Sequence, residues 1–185
     1  MPSCNLVLPF GFISEFLILF KNLYFYAFME CRETNLLQQL ITKGQVHAEQ
    51  NENLEKINKV LNVIGYEAIR YPHSTLLVLR DQSSNMSITA PWKEQMVKEA
   101  QEIFQKVANG SFVNKESPTV QLLLKNGWLR EETSVVLCFT ERALVQFSEF
   151  IENLNGDFQK CKLCEFLTNE GEYHIKCAEM LRKGE

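Results

Sequence analysis

The chain has 185 residues, 45% of them hydrophobic and 23% charged, with a formal net charge of −4 and a pI of about 5.5. That length suits one compact body or two small domains, and the composition is that of a globular protein rather than a disordered one. The acidic balance argues against a free-standing nucleic-acid binder, which normally carries a basic face to displace counterions from phosphates.

The first segment, Leu6 to Met29, reads LVLPFGFISEFLILFKNLYFYAFM and has the apolarity of a membrane span. Pro9 and Gly11 break the run, Glu15 sits near its middle, and Lys21 and Asn22 interrupt it again. An acid in mid-span costs roughly 2.5–3.5 kcal/mol on insertion scales, and the segment lacks the basic leader and cleavage motif of a signal peptide. The expectation is no membrane association. Met29 is then read as the true start, with residues 1–28 an artefact of gene prediction.

From Thr34 the pattern becomes regular. Leu36, Leu37, Leu40 and Ile41 form a one-sided helix that Gly44 can stop. Asn53 can cap a second helix with the stripe Leu54, Ile57, Val60, Leu61 and Ile64, ended by Gly65. Two β-prone runs follow, Tyr66–Tyr71 and Thr75–Arg80, around the turn Pro72-His73-Ser74. Two helices and a hairpin make a first winged-helix-like unit over residues 29–85.

A Ser- and Asn-rich linker, Gln82 to Ser87, leads into a second unit over residues 88–156. Pro91 opens a helix carrying Met96, Val97, Ala100, Ile103, Phe104 and Val107 on one face, and Asn109-Gly110 closes it. Ser117-Pro118 starts the next helix, a hydroxyl at the N-cap followed by proline at the first helical position. That helix buries Val120, Leu123 and Leu124 and stops at Asn126-Gly127. A second hairpin, Trp128–Arg130 and Val135–Phe139, precedes a helix capped by Thr140 and bearing Leu144, Phe147, Ile151 and Leu154. Helix, helix, hairpin, helix is the order of a second winged helix, so the fold class expected is α+β, mainly helical. All these stripes read first as core.

Chemistry becomes legible after Asn155-Gly156, in residues 157–185. The spacing is Cys161-x₂-Cys164-x₉-His174-x₂-Cys177. Tetrahedral zinc takes four thiolate or imidazole ligands, and two-residue gaps let each pair turn onto one ion. Gly171 gives the intervening loop its flexibility, and His174 and Cys177 are spaced as neighbours on the first turn of a helix. Paired cysteines in a reducing compartment are metal ligands more often than disulfides. The competing reading is a chance grouping of buried thiols with an unrelated histidine. Cys31 and Cys138 read as inert thiols, Cys4 falls in the upstream segment, and His47 and His73 read as polar surface or turn residues.

Four protein ligands leave no open position for a water, so the site reads as structural, with no catalytic residue assigned. The H-x-E and P-C-x-x-C pair of the zinc deaminases is absent from the sequence. One structural zinc ion contributes on the order of 10 kcal/mol or more to the folding of so short a segment.

With these residues in view, the sequence resembles the non-structural maintenance of chromosomes element 1 family, the RING-like subunit of the Smc five/six complex. The resemblance runs from about Thr34 to Met180. It is carried by ENLEKINKVLNVIGYEAIR, LLLKNGWLR, and FTERALVQFSEFIENL leading into CKLC and HIKC. It implies tandem winged helices followed by a RING-like zinc module, with a melanoma-antigen (MAGE) family subunit and a kleisin subunit as partners. It also implies nuclear, chromosome-associated work in DNA repair and recombination, and stimulation of ubiquitin transfer with the MAGE partner. In a cross-braced RING, the positions of Cys161, Cys164, His174 and Cys177 correspond to the first zinc, and Leu163 falls where many RING proteins contact the ubiquitin-conjugating enzyme.

The second set of RING ligands is missing: no cysteine lies between Cys164 and His174, and neither Cys nor His follows Cys177. A half-RING implies weak or no intrinsic ligase activity; a gene model lacking a final exon is the other account of the gap. Three functions stay open: an interaction subunit, a RING-type ubiquitin ligase working with its MAGE partner, and a winged-helix DNA binder. The last is disfavoured because Pro118 to Lys125 offers only Lys125 to phosphates, so DNA contact is expected to be weak or indirect.

Overall fold

The structure, a computed structural model, describes residues 31–49, 53–82, 94–154 and 157–184. The segment Leu6–Met29, Cys4, most of the linker from Gln82 to Ser87, Pro91 and Asn155-Gly156 lie outside the described residues. Among the described residues, no helix is long and apolar enough to cross a membrane. The architecture is α+β, with seven helices and three small antiparallel sheets among the described residues.

Helix α1 (Cys31–Lys43) turns Leu36, Leu37 and Leu40 inward. Helix α2 (Leu54–Asn62) begins where the Asn53 side chain accepts a hydrogen bond from the Lys56 N–H, and it buries Ile57 and Leu61. Between them lies a strand the pattern does not announce, β1 (Gln45–His47). It joins β2 (Tyr66–Arg70) and β3 (Leu76–Asp81) in an antiparallel sheet of order β1-β3-β2, with Gln45 opposite Val78 and Ala68 opposite Leu79. Three residues with a single apolar one are too short to display alternation. The Asn58 side chain acts as a further strand edge, accepting from the Ala68 N–H at 2.6 Å and donating to the Ala68 carbonyl at 3.1 Å. Leu37, Leu40, Ile57, Leu61 and Leu77 close this first core, each fully buried aliphatic side chain contributing about 1.5–3 kcal/mol.

The second core forms around Phe104 of α3 (Glu94–Ala108). Its ring lies 5.2 Å from Phe139 and 5.4 Å from Phe147. Helix α4 (Pro118–Lys125) starts with proline in its first turn, and Ser117 occupies the N-cap without a side-chain capping bond. Strands β4 (Leu129–Glu131) and β5 (Leu137–Phe139) pair with Arg130 opposite Cys138. Thr140 caps α5 (Glu141–Gln146) through the Ala143 N–H. The helix expected to run on from Thr140 is divided, with α6 (Ser148–Glu152) following a break at Phe147 (φ −108°, ψ 26°). The break turns the Phe147 ring onto Trp128, 4.8 Å between centroids, and against Phe104.

The two cores meet where β3 faces α5. Leu76, Val78 and Val145 are buried together, and Gln146 Oε1 accepts from the Asp81 N–H at 2.8 Å. The Arg142 guanidinium lies 3.8 Å over the Trp128 ring and donates to the Asn126 carbonyl at 2.6 Å and the Lys43 carbonyl at 3.4 Å. It thereby satisfies the carboxyl ends of α4 and α1 at once. Burial brings its pKa down to about 10. Gly44 permits this approach: its φ is +72°, and a Cβ there would stand 2.2 Å from Arg142 Cζ.

Gly44→Ala is therefore expected to lower unfolding free energy by about 1–3 kcal/mol, from the left-handed backbone and the displaced guanidinium together. In an Arg142→Ala background the cost should shrink to the backbone part, measurable as a double-mutant cycle by urea unfolding.

Candidate metal centre

The carboxyl-terminal segment is a two-stranded ribbon followed by a helix. Strands β6 (Gln159–Lys160) and β7 (Leu167–Thr168) pair with Lys160 opposite Leu167. Between them Cys161 to Glu165 forms a tight knuckle. The Cys161 N–H donates to the Phe166 carbonyl and the Glu165 N–H to the Cys161 carbonyl, both at 2.9 Å. Glu165 takes a left-handed conformation, φ 64°, which the turn requires for the chain to double back. Helix α7 (Ile175–Lys183) begins directly after His174, so His174 and Cys177 bracket its first turn. Glu170 Oε2 accepts from the Ile175 N–H at 2.6 Å and holds the helix start against the loop.

These elements bring all four sequence-predicted ligands together. Cys161, Cys164, His174 and Cys177 each offer one donor atom, and the four atoms lie within 4.8 Å of one another. His174 Nδ1 is 3.3 Å from Cys164 Sγ and 3.9 Å from Cys177 Sγ. Zinc–sulfur bonds of about 2.3 Å in a tetrahedron put sulfurs about 3.8 Å apart, so the donor set fits one ion of that size. His174 Nε2 lies 3.0 Å from the Leu167 carbonyl. Donation there fixes the proton on Nε2 and leaves the Nδ1 lone pair for a metal.

The electrostatics calls for a cation. Cys161 and Cys177 are buried and Cys164 is half-buried. Burial, then the neighbouring Cys161 and Cys164 sulfurs, pushes the Cys177 thiol up to about 12. Burial raises Cys164 as well, with Cys161 adding to it. Cys161 goes the other way: burial opposes ionisation, but the backbone N–H groups of Cys164, Leu163 and His174, with the His174 side chain, bring it to about 6. Without a cation, thiolates this close repel one another. A bound dication removes that penalty.

The site stands at the edge of a cleft of about 1150 Å³ whose walls include Tyr71, Arg130, Phe139 and Leu167. Burial also pushes the Tyr71 hydroxyl up. Leu163 and Ile175 are exposed on the knuckle, at 44% and 61%. Cys138 lies apart from the cluster, half-buried, accepting from Arg130 Nε at 3.2 Å. His47 is an exposed partner of Thr75, 3.0 Å from Nδ1 to Oγ1. His73 sits in the β2–β3 turn, as its neighbours Pro72 and Ser74 suggest, yet its Nε2 is 3.0 Å from Cys177 Sγ. Nothing in the sequence signals that contact, which spans 104 positions.

No family model matches the sequence, and no curated protein matches it. Among solved structures, a chain of the "Nse1-Nse3-Nse4 complex" superposes with a TM-score of 0.62 at 12% identity, covering 84% of this chain and 91% of that one. This chain has that chain's fold. At such identity the likeness speaks to architecture alone, and it agrees with the resemblance carried by the sequence motifs.

Cys161→Ser and His174→Ala should each lose most of the bound metal by elemental analysis and render α7 sensitive to protease. Cys138→Ser should retain both metal and protection.

Proposed function

We propose that the chain is an Nse1-type subunit of the Smc five/six complex, acting in the nucleus in the repair and recombination of damaged chromosomes. The observation that carries this reading is the shared fold over 91% of the length of a chain from a structure titled "Nse1-Nse3-Nse4 complex". Nse3 and Nse4 correspond to the MAGE-family and kleisin partners that the sequence resemblance implies. The chain is read as an interaction subunit whose partners pack on its helices and hairpins.

Three parts divide the work in this proposal. Residues 29–85 and 88–156 are winged-helix units, and residues 157–185 form a one-zinc half-RING. The order β1-β3-β2 behind two helices favours the winged-helix reading of the first part, and the separate cores around Leu37 and Phe104 favour the division. Cys161, Cys164, His174 and Cys177 hold one structural zinc, a role suited to four protein donors with no place left for a reacting water.

Ubiquitin transfer is the second reading, favoured by the exposure of Leu163 beside the metal cluster, where a conjugating enzyme would dock. Only one four-ligand cluster occurs among the described residues, so we infer weak or no intrinsic activity. DNA binding is weaker still as a reading, because α4 carries a single basic residue, Lys125.

Co-expression should yield a stable ternary complex with MAGE and kleisin subunits; failure to co-elute would sink the proposal. Ubiquitination assays with the MAGE partner should give little chain formation, and Leu163→Ala should leave that background unchanged. Gel shifts of the isolated chain should be weak, without the steep salt dependence of a protein that neutralises many phosphates.

A further inference from the structure

We propose that His73 is an outer-sphere positioning residue of the metal centre, donating its Nε2–H to the Cys177 thiolate and tying the first unit to the carboxyl-terminal knuckle. The inference rests on the zinc reading above and extends it to a residue far away in sequence.

Metal-bound thiolates carry excess charge that hydrogen-bond donors disperse, and each cysteine here has a different source of donors. Cys161 takes backbone N–H groups from Leu163 and Cys164 inside the knuckle. Cys164 takes the Phe166 N–H. For Cys177, on the first turn of α7, the donor comes from outside the knuckle: His73 Nε2 lies 3.0 Å from its Sγ.

The surrounding contacts fix the turn that carries His73. Lys176 Nζ donates to the His73 carbonyl at 3.3 Å. Tyr71, two residues earlier, sets its ring edge-on to Phe166 at 5.7 Å and to the ligand His174 at 6.3 Å. Ser74 Oγ accepts from the Leu76 N–H at 2.9 Å and pins the turn from within. His73 itself has φ 54°, a left-handed conformation that histidine, like Asn and Asp, adopts more readily than most residues. The Tyr71 and His73 contacts of this turn reach His174 and Cys177.

The pairing makes the turn part of the metal site, because the hairpin that carries His73 and the helix turn that carries Cys177 meet at this one contact.

Two substitutions separate the side chain from the backbone. His73→Asn tolerates a positive φ but its amide is too short to reach the sulfur, whereas His73→Gln carries an N–H at the reach of Nε2. Full-length protein loaded with cobalt(II) reports on the thiolates through the sulfur-to-metal charge-transfer band. In His73→Asn that band should move to longer wavelength, because the sulfur lone pairs lose their donor. Zinc transfer to a chromophoric chelator should become about tenfold faster. His73→Gln should restore both toward wild type. A His73→Asn protein with the wild-type band and release rate overturns the inference and leaves the zinc site standing. Loss of the tetrahedral d–d bands in His73→Asn also overturns it, in favour of direct ligation. Wild-type protein that takes up no cobalt overturns the zinc reading and this inference together.

Discussion

Three sulfur atoms and one imidazole nitrogen crowd within 4.8 Å of one another at the carboxyl-terminal end of the fold. Two of the sulfurs are buried, and burial raises the thiols of Cys164 and Cys177 while backbone donors lower that of Cys161. Such a cluster has no comfortable charge state by itself. Protonated, it wastes the donors aimed at Cys161; ionised, it stacks negative charges in a half-dry site. A dication would resolve the conflict, and the ribbon, the knuckle and the first turn of α7 bring the four donor atoms within reach of one ion.

The knuckle is too small to carry a core, so the rest of the molecule supplies one. Leu167 of β7 is buried within the second core, and Phe158 packs edge-on against Phe139 at 5.4 Å. From the other side, the β2–β3 turn brings Tyr71 onto Phe166 and His73 onto Cys177. The clustered Cys161, Cys164, His174 and Cys177 thus sit at a junction of three segments.

A second set of close contacts governs the seam between the two larger cores. Arg142 is half-buried, stacked on Trp128, and its Nη1 donates to carbonyls at the ends of α4 and α1. Gly44 is the position that lets it through. Aromatic stacking, helix-end carbonyls and a glycine without a Cβ together fix how the two cores meet.

Much of this was legible in the sequence. Helix stripes such as Leu36-Leu37-Leu40 and Ile57-Leu61, the caps Asn53 and Thr140, both hairpins and the grouping of Cys161, Cys164, His174 and Cys177 follow from periodicity and spacing, because the interactions that set them act within a few residues. The short strand β1 was not legible, since its pairing with β3 comes from hydrogen bonds across the sheet rather than from its own three side chains. Nor was the break at Phe147, which answers to Trp128 and Phe104, rings contributed by distant segments. His73 is the sharpest case: locally it is a turn residue, and only tertiary packing, across 104 positions of the chain, brings its imidazole to the Cys177 sulfur. Local order is encoded where neighbours interact; the partners of Arg142, Phe147 and His73 were decided by packing, which no window of sequence contains.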